Sequence, residues 1–91
     1  MSETSKSTIS TALDIATIAE NLDELHPLNF RLAFGLTHDE AAAELCIEPQ
    51  TMRAYSKNKP SKRVKKLAAT TTKRWISEKR PVNIEYLLVS K

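Results

Sequence analysis

The chain has 91 residues, 41% hydrophobic and 27% charged, with a formal net charge of +3. That length suits one small domain and excludes two, and its thin core makes a homodimer the expected state. A lone cysteine excludes an internal disulfide, and no apolar run approaches a membrane span or a signal sequence, so a cytoplasmic location is expected.

Residues 1–8, MSETSKST, are expected to be a disordered tail, and residues 9–91 a single domain. With one glycine and an abundance of helix formers, the predicted class is all-α. An N-terminal helix is predicted over 9–26, where Ile9, Leu13, Ala16, Leu22 and Leu25 recur at helical spacing until Pro27. A short helix follows over 27–35, with Leu28, Leu32 and Phe34 as its candidate inward residues and Gly35 as its left-handed cap. THDEAAAEL restarts a helix: Thr37 is the N-cap and Glu40 can reach back to it in a capping box.

Pro49 suits the first turn of the next helix, which should end near Lys57, before Asn58 and Pro60. Residues 61–77 form a further helix with Ser61 as N-cap and a stripe of Val64, Leu67, Ala68, Thr71 and Trp75 or Ile76, weakened by the run Thr70–Thr72. VNIEYLLVSK alternates like a strand, yet Asn83 could cap a short helix; periodicity leaves both open.

The modest net charge hides an asymmetry. Residues 1–52 hold two basic and nine acidic residues, whereas 53–80 hold eleven basic residues and one acid, Glu78. So dense a basic block suggests a polyanion partner, against the plainer reading of a solvated face. The acidic half is then expected to face away from that partner.

Two short helices joined by a few residues and followed by a basic segment suit a steep helix crossing. Ala42 is the expected small crossing residue, with Leu45 and Ile47 flanking the turn. Met52 and Tyr55, three apart, share one inward face. Gln50, Thr51, Arg53, Ala54 and Lys57 remain for the other, with Arg suited to guanine, Gln to adenine and Ala to a thymine methyl.

The stretch LTHDEAAAELCIEPQTMRAYSKNKPS resembles the helix-turn-helix of phage-type repressors, the Cro/CI-like group of transcriptional regulators, with similarity from about Leu28 to Leu88. The resemblance implies a small lambda-repressor-like helical bundle with an extra N-terminal helix. It implies a recognition helix at about 49–57, with Gln50, Thr51, Arg53 and Ala54 reading bases and Lys57, Lys59, Ser61, Lys62 and Arg63 holding the DNA backbone. It also tips residues 82–89 towards a closing helix. The turn position usually held by glycine is Cys46 here, at a cost of about 1 kcal/mol for a left-handed residue.

Cys46 has no nearby thiol, and the nearest histidine, His38, is eight residues away, so it is expected to be a turn residue and not a redox or metal site. His26 and His38 fall at element boundaries as surface or capping groups, and Trp75 is expected in the core. No catalytic constellation or phosphate-cradling glycine loop is evident, so no enzyme, cofactor, metal or small-molecule substrate is expected. The expected function is a sequence-specific double-stranded DNA-binding regulator, a repressor of phage or mobile-element type. The alternatives are an excisionase-like architectural factor and a protein-interaction module, such as an antitoxin or an inhibitor of a host DNA-binding protein.

Overall fold

The computed structural model describes residues 15–88 of the chain. The expected tail, residues 1–8, and the start of the N-terminal helix lie outside them. The described residues form helices and connections without a strand: α1 (15–20), α2 (Pro27–Phe34), α3 (His38–Leu45), α4 (Pro49–Ala54), α5 (Lys62–Ser77) and α6 (Glu85–Leu88). The architecture is all-α, and among the described residues no helix is long and apolar enough to cross a membrane.

The helix expected to run to residue 26 stops at Glu20. At its end the Thr17 carbonyl accepts from both the backbone N–H of Asn21, at 3.2 Å, and the Asn21 side-chain Nδ2, at 2.9 Å. The chain then lies along α5, where the Leu25 N–H donates to the Lys65 carbonyl at 3.0 Å and Leu22 and Leu25 are buried.

α2 begins with Pro27 at its first turn and His26 as N-cap, the imidazole Nδ1 accepting from the Leu28 N–H at 3.1 Å. It ends at Gly35 in the left-handed conformation, φ +67°. The Gly35 N–H returns to the Leu32 carbonyl at 3.3 Å and the Leu36 N–H to the Arg31 carbonyl at 2.9 Å, the paired bonds of a Schellman motif. The inner side of α2 is Pro27, Phe30 and Ala33, at three-residue intervals. Leu32 was expected inward but is 40% exposed, because two residues past Phe30 is more than half a turn away.

α5 supplies the opposite wall with Ala68, Ala69, Thr71, Thr72 and Trp75. Of the threonine run, Thr71 and Thr72 join this buried side while Thr70 is exposed, and the run does not interrupt the helix. Leu67, expected in the stripe, lies at its margin and is 37% exposed. Trp75 is in the core as expected: its ring centroid lies 5.2 Å from that of Phe30 and 4.9 Å from that of Phe34, and the Arg80 guanidinium covers it at 4.0 Å. Within the ambiguous last segment, residues 85–88 are helix, as α6, and residues 89–91 lie outside the described residues. The Asn83 N–H donates to the Ala33 carbonyl at 2.8 Å, its side chain accepts from the Glu85 N–H at 3.1 Å, and Leu87 is buried against α2.

Candidate nucleic-acid interface

α3 starts on the expected capping box. The Glu40 N–H donates to the Thr37 hydroxyl at 3.0 Å, and the Thr37 N–H donates to the Glu40 carboxylate at 2.9 Å. The helix ends at Cys46, and the shape of this turn, which the sequence left open, is the left-handed one, φ +57°. The Cys46 N–H returns to the Ala43 carbonyl at 3.3 Å and the Ile47 N–H to the Ala42 carbonyl at 3.0 Å. This repeats the Schellman pattern of Gly35 with a side chain present. The thiol is exposed.

Residues 46–48 then deliver the chain to Pro49 and α4. Ala41 and Ala42 are both buried, Ala43 is exposed, and Leu45 closes the space beneath. α4 is six residues long, and Met52 is its only fully buried side chain. Around that anchor, Gln50, Thr51 and Arg53 are exposed and Ala54 is half-buried. Tyr55 is half-buried, its ring edge-on to His26 at 6.3 Å.

The helix expected to reach Lys57 ends at Ala54. Ser56 Oγ donates to the Arg53 carbonyl at 3.2 Å, and the N–H groups of Lys57 and Asn58 converge on the Ala54 carbonyl at 2.9 and 2.8 Å. These bonds close the chain into turns, so Lys57 and Lys59 lie on an irregular connection. Ser61 is the N-cap of α5, with its hydroxyl oxygen accepting from the Val64 N–H at 3.2 Å. Lys62 and Arg63 occupy the first turn of α5, exposed and without an acidic neighbour in that turn. Two cations at the positive end of a helix forgo the usual dipole stabilisation.

Six of the basic residues line two clefts. Lys57, Lys59 and Lys65 line a cleft with His26, Tyr55 and Asn58. Lys62, Lys66 and Lys73 line another, opposite Asp23 and Glu24. Glu24 pairs with Lys65 at 3.5 Å. The acidic half of the sequence therefore does not all face away from the basic half. The most direct case is Asp39, whose carboxylate accepts from Arg53 Nη2 at 2.7 Å. No local pattern announces that contact, because the partners are fourteen residues apart.

His26 has its pKa lowered from 6.5, first by burial and then by the nearby Lys65 charge. The neutral ring is also what its capping role requires, since Nδ1 must accept a hydrogen bond.

Comparison with known proteins finds no matching family model, no matching curated protein and no matching solved structure.

Proposed function

We propose that α3 and α4 are a helix-turn-helix and that the protein is a sequence-specific double-stranded DNA-binding transcriptional regulator, a repressor of phage or mobile-element type. The observation that carries this reading is the two-sidedness of α4. One buried methionine holds the helix down, and its outward side offers Gln50, Thr51, Arg53 and the methyl of Ala54. That set can meet amide, carbonyl and methyl groups on base edges in a major groove.

Lys57, Lys59, Ser61, Lys62 and Arg63 follow immediately and are exposed. They would hold the phosphate backbone and fix the register of α4 without reading sequence. The cations in the first turn of α5, which has no acidic residue of its own, also favour a polyanion partner. A domain this small makes few base contacts, so the reading includes a homodimer on a two-fold-related site with half-sites about one helical turn apart.

Fluorescence anisotropy on a labelled duplex, titrated with salt, tests the claim. The expected result is binding whose log affinity falls linearly with log salt, with a slope of several units. Absence of duplex binding at low salt, with recovery of a stoichiometric protein partner, would replace the regulator with an interaction module.

A further inference from the structure

We infer that Asp39 is a positioning residue that sets the base specificity of Arg53. The inference rests on the duplex-binding reading above and names the residue that makes its central contact selective.

The two side chains belong to different helices. Asp39 stands in the first turn of α3 and Arg53 in the last turn of α4. They meet across the turn at 2.7 Å, with side chains 66% and 54% exposed. The neighbouring acid in that first turn, Glu40, is already occupied by the capping box with Thr37. Asp39 is thus the carboxylate left over at a helix end that favours negative charge, and Arg53 is the group it engages.

The contact joins one carboxylate oxygen to one guanidinium nitrogen. A guanidinium carries five N–H donors in a planar fork, so most of the fork stays available. Two parallel donors are what the O6 and N7 atoms of guanine require. Held by Asp39, the fork loses rotamer freedom before a duplex arrives, which lowers the ordering cost of a bidentate contact. Without Asp39, a long cationic side chain on the outward side of α4 would be drawn to the nearest phosphate, which carries no sequence information.

The charge of Asp39 acts in the same direction. A carboxylate on this surface repels every phosphate, whatever the sequence. The repulsion is offset only where Arg53 finds its base pair. Asp39 thereby lowers affinity for wrong duplexes more than for the right one, which is how specificity differs from affinity. As a stabiliser of the fold the pair contributes little, because both groups are open to water.

The test uses a duplex enriched by the wild-type protein, its single-base-pair variants and an unrelated duplex. Four proteins are compared by anisotropy: wild type, Arg53→Ala, Asp39→Asn and the double variant. Arg53→Ala should lose its preference at one base pair. Asp39→Asn should lose about tenfold of the preference at that same base pair, while binding the unrelated duplex more tightly than wild type does. The double variant should discriminate no worse than Arg53→Ala alone. The unfolding midpoint of Asp39→Asn should stay within a few degrees of wild type, which separates positioning from a folding defect.

Two results overturn the inference. One is full preference at the Arg53 base pair in Asp39→Asn, which reduces the contact to a surface ion pair. The other is an equal further cost of Asp39→Asn in the Arg53→Ala background, which makes Asp39 a base reader in its own right. Failure of the underlying reading looks different: a wild-type protein that prefers no duplex removes both claims, whereas a selective wild type with a silent Asp39→Asn removes only this one.

Discussion

The outward sides of α4 and α5 are both open to solvent, yet they carry different chemistry. α4 presents an amide, a hydroxyl, a guanidinium and a methyl, from Gln50, Thr51, Arg53 and Ala54. α5 presents Lys62, Arg63, Lys66, Lys73 and Arg74, which offer charge and donors but no acceptor. The first set can distinguish one base pair from another, and the second attracts phosphates of any sequence. Their anchorage differs too. α5 is sixteen residues long with five buried side chains, whereas six-residue α4 has Met52 and the geometry of the turn before it. On the proposed reading, selectivity would rest on the more lightly held element.

The most severe way to break that contrast is at the anchor. Met52→Ala should cost about 2–5 kcal/mol of stability, read by thermal unfolding, because Met52 is fully buried. Sequence preference should fall with it. Next is the outward side itself. Arg53→Ala should cost about 1–3 kcal/mol at one base pair with little change in unfolding, since the side chain is 54% exposed. Binding assays on single-base-pair variants of the preferred duplex would read that loss.

The turn offers a matched pair of smaller effects. Gly35 and Cys46 have φ of +67° and +57° and close the same Schellman bonds. Cys46→Gly should relieve up to about 1 kcal/mol of left-handed strain. Gly35→Ala should lose about 1 kcal/mol, from backbone conformation alone, because a Cβ there meets nothing within 4 Å. Thermal unfolding of the two variants should move in opposite directions. On α5, Lys62→Ala should weaken all duplexes alike and lower the salt slope by about one, as a salt titration would show.

The smallest effect lies at the joint between the two regions, where His26 touches Tyr55 and lies near the Lys65 charge. Its lowered pKa means that the unfolded chain takes up the proton first as pH falls. Its contribution to stability is therefore full above the ordinary value of 6.5 and is lost as pH drops below it. His26→Asn keeps a capping acceptor and removes that proton, so unfolding midpoints followed from neutral pH downward should fall less steeply than in wild type.

Several of these features were legible in the sequence because their causes are local. The Thr37–Glu40 box, the Pro49 start and the Gly35 cap each depend on a few adjacent residues, whereas the left-handed shape at Cys46 came only from the fold. Rotational phase was less legible. Leu32 and Leu67 fit an apolar stripe by spacing, but the buried side of α2 follows Pro27, Phe30 and Ala33 and that of α5 follows Ala68, Ala69, Thr71, Thr72 and Trp75, which leaves both leucines exposed. The N-terminal helix is six residues shorter than its apolar spacing predicts, because Leu22 and Leu25 are buried from an irregular segment docked on α5, not from a helix face. In the candidate site, the exposure of Gln50, Thr51 and Arg53 followed from the inward spacing of Met52 and Tyr55. The Asp39–Arg53 contact did not, because it is created by the crossing of α3 and α4.

The most direct measurement is selection from a pool of random duplexes with the purified wild-type protein. The expected result is enrichment of one sequence with two-fold-related half-sites about one helical turn apart. A pool that emerges bound but indistinguishable from its starting composition would contradict sequence reading by the outward side of α4.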